Sequence, residues 1–176
     1  TIAPVLETEE KIPGDQVDWR VTQQLVGKAL DLESAAEEAV TKAEQAITDT
    51  AAAHPEFAGK TVAVANDYAQ TGMEYYTVTG GTAEKVFLQL GFAPNPLAQR
   101  YVQNAKISNE ELSSLDGDVL IVFYVDHATR TAREAQPLFQ ALPAVAEGRY
   151  LAVVAEDKDS GSNAAWVLRR GASAVS

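Results

Sequence analysis

One run of seven consecutive apolar or aromatic residues constrains the fold of this chain more than any other feature. The run reads VLIVFYV and occupies residues 119–125. Its length and β-branched residues are typical of a strand, and it is far shorter than the roughly 20 residues of a membrane span. A strand without polar alternation is expected where both faces of a sheet are covered. The run therefore predicts a buried strand in a parallel or mixed sheet.

Three further segments have the composition of strands, at residues 62–65, 75–78 and 151–154. Helical segments are predicted at residues 82–90, 108–115, 131–142 and 163–170. This order predicts an α/β fold with an open, Rossmann-like sheet and flanking helices. In such sheets ligands bind beyond the carboxyl ends of the strands, so the loops at residues 66–74, 79–82, 126–130 and 156–162 are candidate site segments.

The first third of the chain has a helical pattern. Apolar residues recur every three or four positions from residue 17 to about residue 53. Asp31 interrupts this pattern, and Ser34 with Glu37 fits a capping box, so we expect two helices, the second a long one over residues 34–53. Residues 1–6 have the composition of a strand. We therefore expect a strand and loop at residues 1–15, helices at 16–55 and an α/β domain at 56–176.

Composition excludes several classes of function. The chain has 14 basic and 25 acidic residues, a net charge of −11, which opposes binding to a phosphate backbone, so we expect no nucleic-acid partner. With no cysteine and only His54 and His127, the chain cannot form a disulfide or a metal site rich in histidine or cysteine. No secretion signal is recognisable and residue 1 is threonine, so we expect a piece of a longer protein.

No catalytic motif is recognisable, so we do not expect an enzyme. The sequence lacks the GxSxG and HExxH motifs. The turn Gly80-Gly81-Thr82 does not have the GxGxxG spacing of a dinucleotide-binding motif. Such a turn either offers amide groups to a ligand oxygen or is only a strand-to-helix turn capped by Thr82.

Tyrosines concentrate at the predicted strand ends and loops, at positions 68, 75, 76, 101 and 124. Tyrosine suits a wet cleft because its ring is apolar and its hydroxyl forms hydrogen bonds. Because side chains alternate along a strand, one of Tyr75 and Tyr76 is expected in the core and the other on the surface. His127 contacts either a ligand or only Asp126 and solvent. The candidate ligand-binding residues are Tyr68, Tyr76, Thr82, Tyr124, His127 and Arg130.

Several segments, taken in order, resemble the second half of the class III substrate-binding proteins that deliver siderophores, haem or cobalamin to ABC importers. They are TIAPV at residues 1–5, the helices at 18–30 and 36–53, GKTV at 59–62, LGF at 90–92, ISNEEL at 107–112, LDGDVLIV at 115–122, PLFQALPAV at 137–145 and EGRY at 147–150. The ordered set covers nearly the whole chain. The chain departs from some members at Gln103 and Asn104, where those members have tryptophan.

The resemblance implies a protein that captures a ferric siderophore between two lobes for iron uptake, with haem or cobalamin as the alternatives. Residues 1–15 would end the first lobe, residues 36–53 would be the rigid helix between the lobes, and residues 56–176 the second lobe. Glu110 would dock against the ABC permease, or would only complement the dipole of its own helix. The protein would be extracytoplasmic, either periplasmic or a cell-surface lipoprotein whose anchor lies outside this sequence.

The resemblance also implies what the cleft holds. An anionic or ring-rich iron chelate would be held by cationic and aromatic groups, for which Arg100, Arg130 and Arg133 are available. Haem would take a tyrosine or histidine ligand, and no further cofactor is expected. Two other classes remain open: a flavodoxin-like enzyme domain, which needs a phosphate-binding turn, and a partner-binding module built on the long helix, which needs an exposed apolar stripe.

Overall fold

The computed structural model describes residues 11–156, which contain a five-stranded mixed sheet. The strands are β1 (Val62–Asp67), β2 (Met73–Tyr75), β3 (Lys106–Ile107), β4 (Val119–Tyr124) and β5 (Tyr150–Val154), in the order β3-β2-β1-β4-β5. Strands β1, β4 and β5 are parallel, whereas β2 is antiparallel to both β1 and β3. The predicted α/β fold with an open sheet is confirmed.

The described residues also form six α-helices. They are α1 (Trp19–Ala29), α2 (Glu33–Ala53), α3 (Thr82–Gln89), α4 (His127–Glu134), α5 (Pro137–Gln140) and α6 (Pro143–Ala146). Short 3₁₀ segments lie at Pro13–Asp15, Pro55–Phe57, Ala69–Thr71, Pro96–Tyr101 and Asn109–Leu115. The predicted break between the first two helices is confirmed, with Asp31 at a φ of 58° between them. None of these helices has both the length and the hydropathy of a membrane span.

Three of the predicted helix details are wrong. Residues 131–142 do not form one helix, because Pro137 lacks the N–H that a continuous helix needs and instead begins a short helix of its own after α4 ends at Glu134. Asn109–Leu115 is a 3₁₀ segment and not an α-helix. The capping box forms there, between Ser108 and Glu111, whereas α2 begins after Leu32 without a side-chain cap.

The strand predictions need correction as well. Strand β2 ends at Tyr75, because the chain reverses soon after β1 and its pairing with β1 covers only Met73 to Tyr75. Strand β3 carries no pattern in the sequence, because it is two residues long. All six residues of β1 are buried, whereas alternate residues of β4 are only half-buried. The most buried strand is thus β1, at the centre of the sheet. The predicted strand at residues 1–6 and helix at 163–170 lie outside the described residues.

Two apolar clusters pack on the two faces of the sheet. The larger one includes Tyr75, Tyr124 and Phe139, and we call its side of the sheet the Tyr124 face. The smaller one contains Val62, Val64 and Phe92, with Tyr76 and Phe123 packed against it, and we call its side the Phe123 face. Tyr75 is 1% exposed and stacks on Tyr101 with ring centroids 4.9 Å apart. Tyr75 is therefore the core residue of the adjacent pair, and Tyr76 is the half-buried one.

Candidate functional site

The carboxyl ends of β1 and β4 lie side by side, as their parallel pairing requires. Asp67 and Tyr124 are register partners at the ends of the two strands. The chain then continues from β4 to Asp126, which caps α4 by accepting a hydrogen bond from the Thr129 N–H at 2.6 Å. Hydrogen bonds from Thr129 also lower the pKa of Asp126. The two loops predicted at this edge, residues 66–74 and 126–130, are therefore neighbours.

Tyr68 and Tyr76 come together on the Phe123 face. Tyr68 follows β1, and its hydroxyl accepts a hydrogen bond from Asn66 Nδ2 at 3.0 Å. The ring of Tyr76 meets Phe123 edge to face, with centroids 6.5 Å apart. Burial raises the pKa of Tyr68 to about 12, and the negative charge of Glu74 adds to this effect. The Tyr68 hydroxyl therefore stays protonated near neutral pH, with its proton available for a ligand oxygen.

Glu74 is the third member of this group. The pairing of β2 places Glu74 opposite Asn66 of β1 on one side and opposite Lys106 of β3 on the other. Glu74 is half-buried, and within residues 11–156 no hydrogen bond or ion pair holds its carboxylate. Asn66 is 2% exposed, and its Oδ1 has no hydrogen-bond partner in the described part of the chain. We refer to Tyr68, Glu74 and Tyr76 as the Glu74 cluster.

A cavity of about 550 Å³ opens beside Glu74, where the β2–β3 edge of the sheet meets the loop before β3 and the turn before α1. Its volume falls within the range of small-molecule sites. The lining residues are Ile12, Pro13, Gly14, Glu74, Val102, Gln103, Asn104, Ala105 and Lys106. The sequence predictions omit Glu74 and Lys106, because only the pairing with the two-residue β3 brings these side chains together.

Tyr124 and Arg130 belong to a different network, on the Tyr124 face. Tyr124 is fully buried, and its hydroxyl is 2.7 Å from that of Tyr150. The Tyr150 hydroxyl donates to Glu134 Oε1 at 3.1 Å, and Arg130 Nε donates to the same oxygen at 2.8 Å. Burial raises the pKa of both tyrosines. Tyr124 thus supports α4 from the core and exposes no surface to a ligand.

Arg133 lies one helical turn further along α4, in a buried ion pair. Its Nε is 2.7 Å from Asp67 Oδ2, and the two side chains are 10% and 2% exposed. Its second donor, Nη1, binds Asn109 Oδ1 and Gln136 Oε1, each at 3.0 Å. We call these four residues the Arg133 network. The network connects the end of β1, the Asn109–Leu115 segment and the start of α5.

Thr82 begins α3, where protein groups already bind the turn. Gly80 N–H donates to Glu84 Oε2 at 2.6 Å, and Ala83 N–H donates to Gln16 Oε1 at 3.3 Å. The Thr82 hydroxyl itself lies 3.4 Å from the carbonyl oxygen of Val17. These bonds give the Gly80-Gly81-Thr82 turn a structural role and leave little of it for a ligand.

His127 and Glu110 lie on exposed parts of the molecule. His127 is the first residue of α4, and its backbone N–H donates to Glu156 Oε2 at 3.2 Å. Hydrogen bonds from Ser108 engage Glu111 and lower its pKa, so that Glu111 serves the capping box. The neighbouring Glu110 is exposed, and no hydrogen bond or ion pair within the described residues holds it. Over residues 11–156 no three acidic or histidine side chains form a group that could hold a metal ion.

Comparison with solved structures finds this fold in bacterial binding proteins. A periplasmic solute-binding protein of Mycobacterium smegmatis is 20% identical, with a TM-score of 0.65 over 78% of this chain and 47% of its own. Staphylococcus aureus FhuD2 with bound ferrioxamine B is 17% identical, with a TM-score of 0.64 over 80% and 57% of the two chains. S. aureus SirA complexed with staphyloferrin B is 21% identical, with a TM-score of 0.60 over 86% and 58%.

These structures share the fold at low sequence identity, and the chain spans about half of their length. A comparison with curated proteins finds no significant match. A sequence profile described as periplasmic binding protein matches residues 1–153, which is most of the chain. The chain therefore belongs to the periplasmic binding protein family.

Proposed function

We propose that this chain is the second lobe of an extracytoplasmic substrate-binding protein of an ABC importer, and that it captures a ferric siderophore. The observation that carries the proposal is the Glu74 cluster beside its cavity, in a chain of this family. Two of the structurally similar proteins are described with siderophores, ferrioxamine B and staphyloferrin B. The protein would act in the periplasm or at the cell surface, where a lipid anchor would hold it.

The Glu74 cluster has the chemistry that a chelate needs from one wall of a cleft. The rings of Tyr68 and Tyr76 offer apolar surface, and the protonated Tyr68 hydroxyl offers a donor for a chelate oxygen. His127, at the neighbouring carboxyl edge, would contact the same ligand, and Arg130 would flank it. Tyr124 and Thr82 would contribute without contacting the ligand. Tyr124 would support α4, and Thr82 would begin α3.

The long helix α2 would join this lobe to the first one. Its 21 residues extend on the order of 30 Å, and only Ala36 and Val40 on it are buried. A continuous helix between two lobes resists wide hinge closure. We therefore propose that the ligand is captured with a small movement of the lobes.

A fluorescence titration of the complete two-lobed protein tests the proposal. Ferric siderophores, haemin and cobalamin would be added separately, and we expect saturable quenching by a ferric siderophore. Tyr76→Ala should weaken this binding about tenfold or more, because it removes a large ring from the cleft wall. Phe57→Ala, which removes a half-buried ring from the Pro55–Phe57 segment, is the matched control and should leave the affinity within about twofold.

Two results would contradict the proposal. Saturable binding of haemin or cobalamin, with no binding of a ferric siderophore, would show that the protein takes one of these two ligands instead. Equal weakening by Tyr76→Ala and Phe57→Ala would show that the Glu74 cluster does not line the cleft.

Glu110 provides a separate test of the permease as partner. Glu110→Arg reverses a charge on an exposed carboxylate with no described partner, so we expect siderophore uptake to fall about tenfold. Siderophore affinity should not change, because Glu110 is outside the Glu74 cluster. Glu38→Arg, a change at another exposed acidic residue with no ion pair in the described part of the chain, is the control for general charge effects. Uptake that falls equally in both variants would argue against docking through Glu110.

A further inference from the structure

We propose that Glu74 forms a cation-accepting subsite in this wall of the cleft, so that the lobe favours a ferric chelate with a protonated amine, such as an amine-bearing hydroxamate, over a polyanionic carboxylate chelate. The inference rests on the proposed function, and it replaces the expectation that arginines of this lobe hold an anionic ligand.

The position of Glu74 carries the first step. Its side chain lines the cavity of about 550 Å³ and belongs to the same cluster as the Tyr68 hydroxyl. It is half-buried, so a ligand group that reached it would displace water and interact more strongly than at an open surface. Within the described residues no donor holds its carboxylate, which leaves both oxygens to accept from a ligand.

The arginines of the lobe carry the second step, because carboxylates already pair with two of the three that were expected to bind an anion. Arg130 pairs with Glu134 at 2.8 Å, and Arg133 pairs with Asp67 at 2.7 Å. An anionic ligand would have to compete with each of these groups.

Among the described residues that line the cavity, Lys106 is the one cationic side chain. It stands opposite Glu74 in the β2–β3 pair, but it is exposed and forms no ion pair with Glu74. The Lys106 ammonium would repel a ligand amine that approaches Glu74. Substitutions of Glu74 and Lys106 should therefore change the affinity for a cationic ligand in opposite directions.

The test is a binding titration of the complete two-lobed protein with three ferric complexes. Ferrioxamine B carries a protonated amine, its N-acetylated derivative has the same hydroxamate groups without that charge, and staphyloferrin B is a carboxylate chelate. We expect ferrioxamine B to bind about tenfold more tightly than the acetylated complex. Glu74→Gln, which keeps the size of the side chain and one acceptor oxygen but removes the charge, should reduce this ratio to about twofold or less, whereas Lys106→Gln should increase it.

The outcomes separate this inference from the proposed function. If ferric complexes bind but the amine gives no advantage, or staphyloferrin B binds most tightly, the cation subsite is wrong and the siderophore-binding function stands. A ratio that Glu74→Gln leaves unchanged would also overturn the subsite. If none of the three complexes binds, the proposed function fails together with the inference.

Discussion

Replacing Arg133 by alanine is expected to lower the free energy of unfolding by about 3–5 kcal/mol. The substitution leaves the carboxylate of Asp67, whose side chain is 2% exposed, without the guanidinium that lies 2.7 Å away. A buried charge that loses its partner keeps the full cost of leaving water, which exceeds the value of the pair itself. Asn109 and Gln136 also lose a donor, so three elements of the lobe lose a common connection.

Urea unfolding of the complete protein would measure this loss, with Arg130→Ala as the matched control. Arg130 lies on the same helix, but its ion pair with Glu134 is partly exposed, and such pairs contribute about 0–1 kcal/mol. The double variant Asp67→Asn with Arg133→Gln removes both charges and leaves no unpaired buried charge, so we expect it to recover part of the lost stability. Equal losses for Arg133→Ala and Arg130→Ala would show that burial of the Asp67–Arg133 pair is not decisive.

The general architecture could be predicted from the sequence, because the spacing of apolar residues distinguishes helices from strands. The run at residues 119–125 predicts a strand, and β4 occupies six of its seven positions. The run does not show which strand is central, because the same apolar run is compatible with a central strand and with a neighbouring strand that is less completely covered. Strand β1 is buried at every position although it ends in Asn66 and Asp67. These two polar residues are buried because Tyr68 and Arg133 bind them.

The candidate site could be predicted only in part, because long-range pairing assembles it. The tyrosines were recognisable as a group, but strand register decides that Tyr76 lies on the Phe123 face and Tyr124 in the opposite core. Glu74 belongs to no motif, and its neighbour Lys106 is 32 positions away along the chain. The arginines could be named from the sequence, but their carboxylate partners could not, since Asp67 and Arg133 are 66 positions apart.

Phe139→Ala is expected to cost about 3–5 kcal/mol of unfolding free energy, because it removes a large ring from the core and leaves a cavity. Phe139 lies in α5 between two prolines, is fully buried, and meets the ring of Tyr150 edge to face with centroids 5.3 Å apart. Leu138, its neighbour in the same short helix, is 60% exposed. Leu138→Ala should therefore change the stability by about 0.5 kcal/mol or less.

The comparison of the two variants also tests how α5 supports α4. Phe139 packs on Tyr150, whose hydroxyl donates to Glu134, and Glu134 in turn holds Arg130. Urea unfolding of both variants measures the stabilities, and near-ultraviolet circular dichroism reports the packing of the aromatic side chains, including Tyr150. We expect Phe139→Ala to alter this signal and Leu138→Ala to preserve it. Similar losses of stability in the two variants would mean that α5 does not pack as described. In that case α5 would not support α4 through Tyr150.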